Sequence, residues 1–199
     1  MLEEFLHYVS SKDALQSLLV LEQMPDINIS NMLIDMRNTP LSMAIEHQMY
    51  SVARVLIERN ANVNAINSVG MTPLHYACSH APDLDFIELL LEQGASINAV
   101  SVLGNYPIHL ACNKNGCKEL VRLLVLAGAD VDTVSSSLLR TTPLLEATGS
   151  NNIDVMLELL LLGADVHSTT TENKTPLKVA HEHGYTDAIS LLEKFGAKY

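Results

Sequence analysis

The sequence predicts an all-α solenoid of stacked helix pairs joined by hairpin-like loops, and three recurrences along its 199 residues predict it. The first is a Thr-Pro or Tyr-Pro step at Thr39-Pro40, Thr72-Pro73, Tyr106-Pro107, Thr142-Pro143 and Thr175-Pro176, with prolines 33, 34, 36 and 33 positions apart. The second is Gly-Ala or a close variant at Asn60-Ala61, Gly94-Ala95, Gly128-Ala129, Gly163-Ala164 and Gly196-Ala197, spaced 34, 34, 35 and 33. The third is a leucine-rich stretch, apolar at helical spacing, ahead of the glycine. Independent markers sharing one period identify a repeat array, in which no unit buries its own apolar face and neighbours must stack.

From the N-terminus, Leu2–Ser10 and Lys12–Gln23 read as two helices, and Asp26-Ile27-Asn28 echoes Asn62-Val63-Asn64, so residues 1–34 are expected to form a degenerate capping repeat. Repeats are then expected at 35–66, 67–100, 101–134 and 135–169, with a C-terminal capping repeat at 170–199. In each, Thr caps a helix and Pro occupies its first turn, where a backbone N–H has no helical partner. Ala44, Ala77, Ala111, Ala147 and Ala180 recur where the two helices must approach closely. The second helices follow a turn, at Val52–Ile57, Phe86–Leu91, Leu120–Val125 and Ile153–Leu160. Gly94, Gly128 and Gly163 then supply the left-handed backbone that stops the helix, and a short turn-like segment such as Ala129–Asp132 leads into a hairpin.

These residues resemble the ankyrin repeat. Thr72-Pro73-Leu74-His75-Tyr76-Ala77 matches its Thr-Pro-Leu-His-x-Ala signature in full, and Tyr106-Pro107-Ile108-His109-Leu110-Ala111 nearly does. Three departures stand out. The glycine two residues before the Thr is present at Gly70 and Gly104, but Arg37, Arg140 and Asn173 hold that slot elsewhere. Arginine does not adopt positive φ easily, so distorted first and fourth hairpins are expected. Proline-to-Ala distances are 21 in the first, fourth and fifth repeats but 22 in the second and third, which places one extra residue near Ala81-Pro82 and near Asn115-Gly116. Ala129 and Pro143 are 14 positions apart where Ala61 and Pro73 are 12, so the hairpin at Ser135-Ser136-Ser137 is expected to be longer than its neighbours.

Composition narrows the function classes. A hydrophobic content of 48% supports a folded core, and 23 acidic against 12 scattered basic residues argue against nucleic acid and anionic membrane surfaces. No run approaches the roughly 18 apolar residues of a membrane helix; the longest, Met156–Leu162, is interrupted by Glu158. The acidic start, without a basic then apolar stretch, argues against a secretory signal. Cys78, Cys112 and Cys117 lack CxxC spacing and read as reduced core thiols, so a cytoplasmic chain is expected, the nucleus being the alternative.

No enzymatic activity, cofactor or metal is expected. His75 and His109 occupy the signature slot, where the resemblance implies hydrogen bonds to neighbouring loops. His181 and His183, two apart on one helix, point to different faces. There is no phosphate-binding loop, nucleophile elbow or His-Glu-x-x-His. A stack of repeats offers side chains along a surface, not an enclosed pocket, which suits protein recognition. The resemblance implies binding through hairpin tips and the first helix of each pair, on the concave face.

Carried over position by position, the outward tip residues are Asp35, Met36 and Asn38; Ser68, Val69 and Met71; Val102, Leu103 and Asn105; Leu138, Leu139 and Thr141; and Thr171, Glu172 and Lys174. Val69, Met71, Val102, Leu103, Leu138 and Leu139 form a run of large apolar residues there, and an apolar patch on an acidic surface marks an interface. The alternative is that the tips fold back and bury these residues. Ends of first helices add a polar margin that includes His80 and Lys114. The chain is therefore expected to be a monomeric adaptor, assembly factor or inhibitor that binds one protein with an apolar contact patch. The alternatives are a non-catalytic targeting subunit of an enzyme complex and a microbial or viral effector imitating a host ankyrin scaffold. The resemblance further implies possible hydroxylation at Asn64 and Asn98, beside the plainer reading of Asn chosen for turn geometry.

Overall fold

The computed structural model describes residues 1–24, 38–80, 83–113 and 116–198, with Leu2 described by its backbone alone. Among the described residues the chain is all helical, without a strand, and it divides into two compact units, Met1–Ser96 and Ile97–Tyr199. The first unit holds α1 (Leu2–Ser10), α2 (Ala14–Glu22), α3 (Pro40–Glu46), α4 (Tyr50–Glu58), α5 (Pro73–Ser79) and α6 (Leu84–Glu92). The second holds α7 (Pro107–Ala111), α8 (Lys118–Leu126), α9 (Pro143–Gly149), α10 (Ile153–Leu161), α11 (Pro176–His183) and α12 (Thr186–Lys194). Within each unit consecutive helices pair. In the first, α3 packs on α1 and α5; in the second, α9 packs on α7 and α11 while α10 packs on α8 and α12.

Local chemistry sets each boundary. Thr39, Thr72, Thr142 and Thr175 accept from the backbone N–H three residues on, and Pro fills the first turn. Tyr106 has no such hydroxyl cap; instead its own N–H donates to Nδ1 of His109 at 3.3 Å. Five of the second helices, α4, α6, α8, α10 and α12, end alike: Ala61, Ala95, Ala129, Ala164 and Ala197 donate back to Leu56, Leu90, Leu124, Leu159 and Leu192, the Schellman closure that a left-handed residue permits. Asn60 (φ 63) performs the turn where no glycine is present.

The extra residue expected in the second and third repeats is observed. Pro40 to Tyr50, Pro143 to Ile153 and Pro176 to Thr186 span ten positions, whereas Pro73 to Leu84 and Pro107 to Lys118 span eleven. The core alanines Ala44, Ala77, Ala111, Ala147 and Ala180 are all buried, as close helix approach requires. Around them lie Phe5, Leu41, Leu56, Leu74, Phe86 and Leu90 in the first unit, and Ile108, Leu120, Leu124, Leu144 and Leu159 in the second. Each such side chain contributes about 1.5–3 kcal/mol by leaving water. Cys78 and Cys112 are core thiols, and burial raises the Cys78 pKa well above its ordinary value. Cys117 departs from the expectation. It is half-buried at the N-cap of α8, where its Sγ turns to the start of the helix and accepts the Leu120 N–H at 3.4 Å instead of packing in the core.

One carboxylate is buried within the second unit. Glu158 of α10 is met by the guanidinium of Arg122 on α8 at 2.7 and 2.8 Å, a two-pronged charge-assisted pair that satisfies both of its oxygens.

Candidate functional site

Among the described residues, the hairpins between helix pairs are closed by one recurring device. Their opening residue is short and polar, and its side-chain oxygen accepts backbone N–H groups from within the loop. Asn67 Oδ1 accepts from Val69 and Met71, Ser101 Oγ from Asn105, Ser135 Oγ from Thr141, and Thr170 Oγ1 from Glu172 and Lys174. In the first unit this device reaches inward. Asn67 Nδ2 donates to Asn38 Oδ1 at 3.0 Å and to the Tyr76 hydroxyl at 2.9 Å. Tyr76 in turn donates to Asn38 Oδ1 at 3.0 Å, and Asn38 Nδ2 donates to Glu46 at 3.0 Å.

Asn38, expected on the outward tip, is therefore buried. The residue just before Thr-Pro follows the turn and its side chain points toward the first helix instead of solvent. Val69 and Met71, expected in water, are half-buried, and the compact loop closed by Asn67 accounts for their limited exposure. Asp35, Met36 and Arg37 lie outside the described residues, as do Lys114, Ala81, Pro82 and Asn115.

In the second unit the hairpins close with Ser101 N–H to Asn105, Ser135 N–H to Thr141 and Thr170 N–H to Lys174. The middle loop is two residues longer than the other two, as the repeat spacing predicts. Its expected distortion does not occur: Arg140 takes φ 51 and Asn173 φ 55, the same left-handed turn that Gly104 makes at φ 80. An L-residue held there costs on the order of 1 kcal/mol, which the closed loop overrides. The longer loop also reaches its neighbours through the backbone. Ser136 N–H donates to Gly104 O at 2.8 Å, Thr171 N–H to Leu139 O at 3.0 Å, and Thr171 Oγ1 to Leu138 O at 3.1 Å.

On these three linked tips the apolar residues are in water: Val102 is 73% exposed, Leu103 68%, Leu138 91% and Leu139 47%. Asn105 and Thr141 are half-buried, and Thr141 Oγ1 donates to Glu146. Ile66, Val100 and Val134 are also exposed, which the sequence reading passed over. Each precedes a buried hairpin-opening residue, Asn67, Ser101 or Ser135, so alternation along extended chain was the available signal.

His75 and His109 serve the scaffold. His75 Nδ1 accepts the Thr72 N–H at 3.1 Å. His109 Nδ1 accepts from Tyr106, so its proton resides on Nε2, which donates to Thr141 O at 3.1 Å and ties α7 to the next hairpin. Burial depresses the His109 pKa, partly opposed by the Thr141 carbonyl and the Glu146 charge. A histidine with a folded-state pKa below its unfolded value of about 6.5 contributes full stability above that pH and loses it as pH falls toward the folded value. We expect melting temperature to decline on acidification below about pH 6.5, and to decline less steeply in a His109→Gln chain; parallel slopes would show that His109 does not titrate in this range.

His80 is half-buried, its Nδ1 held by Tyr76 O and the Ser79 hydroxyl. Asn64 is exposed, yet its amide staples two loops of the first unit, donating to Gly94 O at 2.8 Å and accepting the Ser96 N–H at 2.7 Å. Asn98 is exposed. Among the described residues no group of three or more His, Cys, Asp or Glu is arranged to hold a metal ion, and no helix is long and apolar enough to cross a membrane.

Comparison with known proteins adds independent findings. A family model described as ankyrin repeats (3 copies) matches residues 6–101 and 104–199. The chain is 36% identical over 183 residues to the nuclear factor NF-kappa-B p105 subunit of Gallus gallus, a match covering 89% of this chain and 18% of that protein. A putative ankyrin repeat protein of fowlpox virus (strain NVSL) is 47% identical over 49 residues, 25% of this chain and 10% of the viral protein. The chain thus spans a small part of the curated relatives it matches.

Proposed function

Because this chain belongs to the ankyrin-repeat family, whose members generally serve as protein–protein interaction modules, we propose that it binds a partner protein through its hairpin tips. The observation that carries this reading is the exposure of Val102, Leu103, Leu138 and Leu139 on loops fixed to one another by backbone hydrogen bonds. Exposed leucine is ordinary when scattered; a cluster on pre-organised loops offers contact area with little ordering cost on binding. The module acts as an adaptor, assembly factor or inhibitor, by occupying a partner's surface and without chemistry of its own. It works as a monomer in a reducing compartment, the cytoplasm or nucleus, which suits its buried free thiols Cys78 and Cys112.

The test is a chain carrying Val102→Ser, Leu103→Ser, Leu138→Ser and Leu139→Ser together. Affinity capture beside the wild type is expected to lose the specific partner, while melting temperature stays within the range of ordinary surface changes, about 0.5 kcal/mol per site. Unchanged capture moves the interface to the helices; a collapse in stability makes the cluster core.

A further inference from the structure

We propose that Arg140 is a recognition residue that receives a carboxylate from the partner, beside the apolar tip. This rests on the tip-binding reading above and specifies the chemistry of what is bound: a segment with a large apolar side chain and an Asp or Glu close to it.

Three observations converge on Arg140. First, it stands at φ 51 in a slot where the corresponding residues Gly70 and Gly104 take φ 71 and φ 80 without a Cβ to strain them. Asn173 holds the same slot at φ 55, but asparagine tolerates that backbone better than arginine, and strain of this kind clusters at binding sites. Second, that side chain is not engaged by any other described residue. Arg140 is exposed, and among the described residues its guanidinium has no hydrogen bond or ion pair. Two cations of the same unit are engaged by contrast: Arg122 grips Glu158, and Lys174 lies 3.3 Å from Glu172 and 2.9 Å from Glu182. Third, Arg140 borders two open clefts. One is walled by Val134 with Thr169, Thr170 and Thr171, the other by Val134 and Ser135 through Leu138. Arg140 thus lines both a hydroxyl-bearing cleft and one bordered by the 91%-exposed Leu138.

A planar, permanently charged fork in such a place matches the two oxygens of a carboxylate. The surrounding charge sets the size of the acidic group. Net charge −11 disfavours a long acidic tract, but fields are screened within about 8 Å at physiological salt, so one carboxylate feels mainly Arg140. The acids near this tip are already engaged: Glu172 and Glu182 by Lys174, Glu146 by the Thr141 hydroxyl.

The test begins with selection of short random displayed peptides on the wild-type protein. Selected peptides are then titrated calorimetrically against wild type, Arg140→Gly, Arg140→Lys and the four-serine chain. The expected consensus pairs a large apolar residue with a nearby Asp or Glu. Amidating that acid, or changing Arg140→Gly, is expected to weaken binding about tenfold or more, and the two changes together to cost little beyond either alone. Arg140→Lys, with charge but no fork, falls between. Arg140→Gly is also expected to raise the melting temperature, the opposite of what a structural arginine would show. A consensus without acids, undiminished binding to Arg140→Gly, or a lowered melting temperature overturns the proposal, as does failure to enrich any peptide. If acid-free peptides bind the wild type but not the four-serine chain, Arg140 is relieved of its role and tip binding stands. Peptides that bind the four-serine chain as tightly as wild type remove tip binding itself.

Discussion

An Asn67→Ala chain is expected to be less stable by about 2–4 kcal/mol, because one amide satisfies four groups at once. Its carbonyl accepts the Val69 and Met71 N–H groups at 3.0 and 2.9 Å, and its amino group reaches Asn38 and Tyr76 at 3.0 and 2.9 Å. Asn38 is 3% exposed and Asn67 7%, so little water replaces what is lost. Desolvation raises the Tyr76 pKa, opposed by its bonds to Asn38 and Asn67, and keeps its hydroxyl available as a donor. Asn67→Asp separates the contributions: it retains the oxygen that accepts both loop N–H groups but sets a second oxygen against Asn38 Oδ1. Urea denaturation of the three chains gives the answer. A loss below about 1 kcal/mol for Asn67→Ala would mean that the loop reseats its N–H groups on solvent.

Gly104→Ala is the second change with a large expected effect, and Gly94→Ala is its control. The two glycines have nearly the same φ, 80 and 82, but different surroundings. A Cβ at Gly94 meets nothing within 4 Å, whereas one at Gly104 lies 2.4 Å from the backbone of Ser136 and Ser137. Backbone cannot swing aside as a side chain can. Gly94→Ala is expected to cost about 1 kcal/mol, the conformational term alone. Gly104→Ala is expected to cost about 2–4 kcal/mol and to break the Ser136-to-Gly104 hydrogen bond, loosening the tips that carry Leu103 and Leu138. Equal losses in chemical denaturation would show that the loops part easily. Amide exchange at Ser136 reads the same bond directly.

The helix pairs were legible because their determinants are local: a Thr-Pro start, a glycine stop and apolar spacing all lie within one repeat. Loop length was legible for the same reason, since Ala129 to Pro143 can be counted. What escaped was whatever acts across repeats. Asn38 read as an outward tip residue, Tyr76 as the variable position of the signature, and Asn67 carried no signal, until the fold brings positions 29 to 38 apart into contact. Glu158 read as an interruption of an apolar run because Arg122, 36 positions earlier, is not visible from it. Arg140 read as a defect because the cost of its backbone is local and evident, while the closed loop that imposes it is not. Exposure of the tip leucines was anticipated from position, but the inward turn at Asn38 and the half-burial of Val69 and Met71 depend on how tightly each loop closes.

The two added residues of the Ser135–Thr141 loop have a bearing on how such a chain diversifies. The closing bond between Ser135 and Thr141 is formed as in the shorter loops, and α9 begins at Pro143 with its Thr142 cap intact. Length has been absorbed wholly between those two fixed points, without a change of register in the helices on either side. Insertions at this position are thereby insulated from the folding core, so new sequence can be tried there at little risk to the rest of the molecule. Natural variation, or a library built by hand, has an entry point in this loop wherever the Ser136-to-Gly104 bond is kept.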